Sequence, residues 1–194
     1  DEEETTWSST SPSRSPRVTA TSTRSTTSRA ASAWTARSGD TALGVLAVEL
    51  FEFRDADGEL AISVNELAMR PHNTGHWTQN GSVTSQFEQH LRAVLDYPLG
   101  DTDALAPVTV MANVLGAKPP SPMSLDERLH HLMARMPEAK VHLYGKGERP
   151  DRKIGHVNIV GRDGDSPESV RERAERAAQW MSRATWTDGW DEHS

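Results

Sequence analysis

The sequence predicts an α+β fold, and three observations carry that expectation. Apolar, β-branched runs and amphipathic stretches follow one another as strand, strand, helix, strand, helix, strand, strand, helix, with no internal repeat. The first two runs flank Asp57-Gly58, a pair favoured in two-residue hairpin turns. Each amphipathic stretch opens on a serine: Ser85, Ser124 and Ser166.

In chain order, residues 44–53 (GVLAVELFEF) and 60–66 (LAISVNE) are the hairpin strands. A polar loop over 67–80 is rich in His, Asn, Gly and Pro. A helix is expected at about 84–96, where Ser85 and Glu88 have capping-box spacing and Phe87, Leu91, Val94 and Leu95 share a face. Residues 107–115 (PVTVMANVL) read as a buried strand. A short helix at 124–135 turns Leu125, Leu129 and Leu132 or Met133 inward, and Met111, Met123, Met133 and Met136 read as core filler. Strands follow at 139–144 and 153–160. Ser166-Pro167 then starts a helix to about 184, with Val170, Ala174, Ala177 and Met181 in line. The tail after Trp186 carries no signal.

Residues 1–40 differ in kind. Nineteen of these forty are Ser or Thr, too few apolar groups remain to offset ordering entropy, and disorder is the expectation. A phosphorylated or basic docking tail, or a stretch translated from a shifted frame, are the other readings.

Composition narrows function. With a formal charge of −7, generic nucleic-acid binding is disfavoured. No run of 18 apolar residues exists, so no helical membrane span is expected, and the acidic start Asp1-Glu2-Glu3-Glu4 is no secretory signal. Without cysteine there is no thiolate zinc site, and a reducing, cytoplasmic setting is the default.

Chemistry concentrates around the hairpin. With Asp57-Gly58 at the tip, Glu49 faces Glu66 on the same sheet face, about 4.5–5.5 Å apart at Cβ. Facing carboxylates repel and need a shared proton, a basic side chain or a bound cation. Hard oxygen ligands suit Mg²⁺ (or Mn²⁺), and Asn65 adds an amide oxygen. The other reading puts one Glu in solvent at a strand end, with the register off by one. Arg70 offers a planar fork to phosphate or carboxylate, or an ordinary ion pair with Glu66 or Glu88. His72 and His76 have i, i+4 spacing, but Pro71 and Gly75 break the helix a zinc pair would need. His72 is either a ligand contact or a loop-stapling hydrogen bond. His130, His131, His142 and His156 read as core or surface residues. The run 146–153 (KGERPDRK) is either a solvated turn or an anion pocket.

The runs VNELAMRPHNTGHWT and TSQFEQHLRAVLDYPLGDT, with VMANVLG, VHLYGK and RPDRKIGH, resemble 5-(carboxyamino)imidazole ribonucleotide synthases over about 43–160. The resemblance implies the C-terminal part of an ATP-grasp domain (41–100), a small β-rich C-terminal subdomain (101–162), and a terminal helix and tail (163–194). It implies ATP- and bicarbonate-dependent carboxylation of aminoimidazole ribonucleotide in de novo purine biosynthesis, through carboxyphosphate, in a homodimeric enzyme. By the same resemblance, Glu49, Glu66 and Asn65 hold metal, and Asn65 and Glu66 contact ATP. Arg70 and Lys153 act in catalysis. Arg70, His72, Lys146, Arg152 and Lys153 meet the substrate. No counterpart of a preceding nucleotide-fold domain or ATP lid is seen, so the chain alone is expected to be inactive. Another ATP-grasp carboxylating or formylating ligase, or a non-catalytic phosphate- or metal-binding fragment, are the alternatives.

Overall fold

The computed structural model describes residues 44–188, and the backbone alone of 24–25, 28–29 and 32–35. The expectation of disorder over 1–40 falls mostly outside the described residues. Within that stretch lie the short strands β1 (Arg24–Ser25), β2 (Ser28–Arg29) and β3 (Ser32–Thr35).

An antiparallel sheet in the order β3-β4-β5 contains β4 (Leu46–Arg54) and β5 (Leu60–Ala68). The hairpin departs from a two-residue turn. Arg54 pairs with Leu60, and five residues, 55–59, make the connection. Asp55 closes it: its carboxylate accepts from the backbone N–H groups of Asp57 and Glu59, while Gly58 takes a positive φ of 85°. That turn alone would set Glu49 opposite Asn65. A bulge beside Leu50 absorbs Asn65 and brings Glu49 opposite Glu66. The predicted pairing is thus present, by a different route.

The loop after β5 forms a 3₁₀ turn (Asn73–Gly75) and a one-turn helix α1 (Thr78–Gly81). Helix α2 (Gln86–Val94) follows, with Ser85 accepting from the Glu88 N–H. Most of its apolar face points away from the described residues: Leu91, Val94 and Leu95 are exposed and Phe87 is partly so, while Gln86, Gln89 and Ala93 are buried.

The second half is a sheet in the order β6-β8-β7, built from β6 (Thr109–Leu115), β7 (Lys140–Leu143) and β8 (Lys153–Val160). Helices α3 (Leu125–Arg135) and α4 (Pro167–Arg183) complete it. The core lies here. Val114, Leu132, Val157, Ile159, Val170, Ala174, Ala177 and Met181 lose all solvent contact. The predicted line of Val170, Ala174, Ala177 and Met181 is the packed stripe of α4. Leu132 points inward and Met133 outward at 52% exposure, so Met133 is not core filler. Trp186, for which the sequence carried no expectation, is buried, stacks on Trp180 at 4.4 Å, and lies under the Arg135 guanidinium.

Polar pins join the two halves. Asn158, fully buried on β8, donates to the His76 carbonyl and to Asn80 Oδ1. His142 on β7 lies 2.8 Å from the same Asn80 oxygen.

Candidate functional site

Glu49 and Glu66 face one another on the sheet face that also carries Phe51 and Phe53. The bulge brings the Asn65 amide to the pair: its Nδ2 donates to Glu49 Oε2 at 2.7 Å. Across the pair, Arg70 Nη2 meets Glu66 Oε1 at 3.1 Å, while Glu88 pairs with Arg92 instead. Each carboxylate therefore has a compensating donor. His72, 8% exposed, caps the 3₁₀ turn, its Nδ1 accepting from the Thr74 N–H. Its Nε2 lies 3.6 Å from Glu66 Oε2. One ligand atom from each of Glu49, Glu66 and His72 falls within 4.8 Å of the others. The two facing carboxylates form an oxygen donor pair that fits a hard divalent cation, with the Asn65 amide beside them presenting its nitrogen to Glu49. Glu49 also opens on a cleft lined by Asn73, Thr74, Lys118 and Arg171, residues the sequence reading left without a role.

Behind this pair stands a ladder of rings. Phe87 stacks on His76 at 5.4 Å, His76 on His156 at 4.8 Å, and His156 on His142 at 4.7 Å. Tyr144 Oη reaches His156 Nδ1 at 2.7 Å. Burial pushes the His76 imidazole down to about 4, with His72, Lys153 and His142 adding repulsion. Burial pushes His156 down to about 3, reinforced by His76 and His142. Burial also lowers His142 and raises the Tyr144 phenol. The ladder is therefore neutral at pH 7. The sequence reading treated His142 and His156 singly and missed that adjacent strands would stack them. The signal was their register, since His142 and His156 are direct cross-strand partners.

The basic run forms the connection from β7 to β8. Its shape is fixed from below by Glu148, which pairs with Arg128 at 2.5 Å, a guanidinium with no solvent exposure. Gly116 at the end of β6 donates to Arg152 O and accepts from Asp151 N. A Cβ at Gly116 would sit 2.1 Å from Arg149 O, so only glycine allows this approach. Lys146 lies over the Tyr144 ring at 5.5 Å. Lys153 starts β8 near enough to His76 to oppose its protonation, and Arg152 reaches back toward Gly147 O. The structure thus gathers Glu49, Asn65, Glu66, Arg70 and His72 in one cluster. Lys146 and Lys153 lie apart from it, beside the ring ladder, while Arg152 turns back onto Gly147 O of its own turn.

Known proteins resemble both halves of the chain. An ATP-grasp domain model matches residues 15–87, beginning within the Ser/Thr-rich stretch. The phosphoribosylaminoimidazole carboxylase C-terminal domain model matches residues 109–173. The N5-carboxyaminoimidazole ribonucleotide synthase of Mycobacterium tuberculosis is 68% identical over 151 residues, which cover 78% of this chain and 34% of that protein. The crystal structure of the phosphoribosylaminoimidazole carboxylase ATPase subunit from Aquifex aeolicus shares 42% identity with a TM-score of 0.57, covering 72% of this chain and 38% of that one. An N5-carboxyaminoimidazole synthase from Aspergillus clavatus, solved with ADP and 5-aminoimidazole ribonucleotide, shares 30% identity with a TM-score of 0.54, covering 71% and 35%. The described residues are thus part of an ATP-grasp protein. The chain belongs, within that class, to the N5-carboxyaminoimidazole ribonucleotide synthase family, as its C-terminal part. It spans about a third of the length of the relatives it matches.

Proposed function

We propose that this chain supplies the C-terminal part of an ATP- and bicarbonate-dependent ligase that carboxylates the amine of 5-aminoimidazole ribonucleotide, in the purine pathway of the cytoplasm. The observation that carries the proposal is the Glu49–Glu66 pair with its bulged Asn65, set in a segment 68% identical to a synthase of that name. In this reading Glu49, Glu66 and Asn65 hold Mg²⁺ or Mn²⁺, and Asn65 and Glu66 border the ATP phosphates. A cation there would offset the charge that develops in phosphoryl transfer. Arg70 is released from Glu66 toward phosphate or bicarbonate, and His72 Nε2 orients Glu66 and meets substrate. Lys153, with Lys146 and Arg152, receives the ribonucleotide 5′-phosphate, and Arg70 and Lys153 each act in catalysis from their separate places. The complete enzyme works as a homodimer. The division is 41–100 for the ATP-grasp portion, 101–162 for the β-rich subdomain and 163–194 for the terminal helix and tail.

Glu66 and Arg70 side chains are 45% and 60% exposed, so the pair is not enclosed by the described residues. Electrostatic stabilisation of phosphoryl transfer requires fixed dipoles with water excluded. Alone, the chain therefore binds without turnover. Manganese titration followed by electron paramagnetic resonance should show a bound ion. Glu66→Gln should weaken it about 10- to 100-fold or more, with stability of the metal-free chain changed by less than about 1 kcal/mol, because the exposed Arg70 partner contributes little. Manganese affinity equal in wild type and Glu66→Gln would remove the pair from the cation site.

A further inference from the structure

The motif SQFEQHLR contains a residue that the proposed chemistry does not use. Gln86, 4% exposed, is the first residue of α2. Its Oε1 accepts from the His72 N–H at 2.9 Å, and its Nε2 donates to the His72 carbonyl at 2.9 Å. The side-chain amide thus pairs with both backbone groups of His72, as a neighbouring strand would. That double pairing settles which end of the amide is nitrogen, since the reverse orientation would oppose donor to donor and acceptor to acceptor. The second Nε2 hydrogen is directed at His76 Nδ1, 2.7 Å away. The Gln86 backbone N–H donates to Thr78 Oγ1, whose hydroxyl donates to the Gly75 carbonyl. One buried residue therefore ties together both ends of the segment from His72 to Thr78.

We propose that Gln86 is the positioning residue of the site: it holds the His72 backbone so that the imidazole meets Glu66, and it fixes His76 as the neutral tautomer with its proton on Nε2. Because Nδ1 of His76 accepts from an amide, protonating that nitrogen would set two N–H groups against each other. The groups around His76 act in the same direction. Phe87, His156 and Tyr144 contact its ring, and His72, Lys153 and His142 repel a positive charge there. His76 therefore offers a hydrogen bond from Nε2 and never takes a proton on Nδ1 at neutral pH. It stands as a donor, between the carboxylate cluster and the basic turn, and not as a general base. The inference deepens the reading of the 66–76 loop as part of the site, on which it rests.

The test is a long-range ¹⁵N–¹H spectrum of the histidine rings in the intact chain. In wild type at pH 7, His76 should show a bare Nδ1 and a protonated Nε2. Gln86→Glu replaces the donor with an oxygen of nearly the same shape. In that variant, Nδ1 should gain a proton, and the His76 titration should rise from about 4 to above 6.5. Exposed His130 serves as the unchanged reference. In Gln86→Met, the His72 amide should lose its protection against hydrogen exchange. A wild-type His76 protonated on Nδ1 would overturn the proposal even if neither variant folds, and so would an unchanged tautomer in a folded Gln86→Glu. No cation or nucleotide enters these measurements, so their failure leaves the proposed function standing, and failed manganese binding leaves them untouched.

Discussion

Arg128 shows how one side chain can set the position of a distant loop. Its guanidinium donates to the carbonyls of Met181 and Ser182 at the C-terminal end of α4, to Ser124 O, and to Glu148 in the basic turn. A cation there satisfies carbonyls that the helix leaves unpaired and complements its dipole. Trp180 Nε1 returns a bond to the Arg128 carbonyl. Nothing in the local sequence marks this residue, because Glu148 and Met181, which set its position, lie 20 and 53 positions away. Arg128→Met keeps the volume of the stem but strands those acceptors. It should cost about 2–4 kcal/mol in urea denaturation. A change within about 0.5 kcal/mol would assign the work to packing by Leu132 and Trp180 instead.

Elements place these residues. The turn from β7 to β8 is held against β6 through Gly116, with backbone bonds to both Asp151 and Arg152. Gly116→Ala would drive a methyl into Arg149 O, and the turn must shift as a unit. Overpacking of this kind costs about 1–3 kcal/mol. Ribose 5-phosphate affinity, read by phosphorus NMR, should fall several-fold or more, while hydrogen-exchange protection of β8 from Ile154 to Ile159 persists. Equal affinity in wild type and variant would show that Lys146, Arg152 and Lys153 do not form the phosphate site. Helix α2 teaches a related lesson. Its apolar residues recur at helical spacing, yet its buried side is the one with Gln86 and Gln89, which bond the loop backbone at His72 and Gly100. Periodicity located the helix but not the side that packs.

Across the whole molecule, the two halves are unequally covered. The second half has a closed core, while the hairpin exposes Leu60, Ile62, Val64 and Leu67 at 59–64% and α2 exposes its apolar face. Apolar surface on this scale marks an interface. In the longer relatives, about two thirds of the chain is available to cover it. The corresponding N-terminal portion of the Mycobacterium tuberculosis synthase, added as a separate chain, should co-elute with this one and protect the β5 amides from exchange. No association at micromolar concentrations would count against that assignment. Stability should also respond to pH. His76 and His156 titrate near 4 and 3 in the folded chain and near 6.5 when unfolded. Below pH 6.5 the unfolded chain binds more protons, so the stability they contribute is present above 6.5 and is lost as pH falls toward 4. The slope should approach about 1.4 kcal/mol per pH unit for each histidine, with the pair titrating as a coupled cluster. Urea midpoints from pH 7 to 4.5 should show it, and His156→Gln should flatten the curve. An unchanged curve in that variant would place the acid sensitivity elsewhere.

Local signals determined much of this protein. The α+β order, the caps at Ser85, Ser124 and Ser166, the buried stripe of α4 and the family itself all rest on short-range pattern, which a sequence displays directly. The facing of Glu49 and Glu66 was legible too, although a longer turn and a compensating bulge produce it. Residue counting fixes only the sum of turn and bulge, and the division between them depends on how Asp55 and Asn65 bond. Tertiary structure decided the rest. The stacking of His76 on His156, the capture of Glu148 by Arg128, the burial of Trp186 and the grip of Gln86 on His72 all join residues distant in sequence. Such contacts follow from how elements pack, and no periodicity within one element can encode which neighbour it will meet.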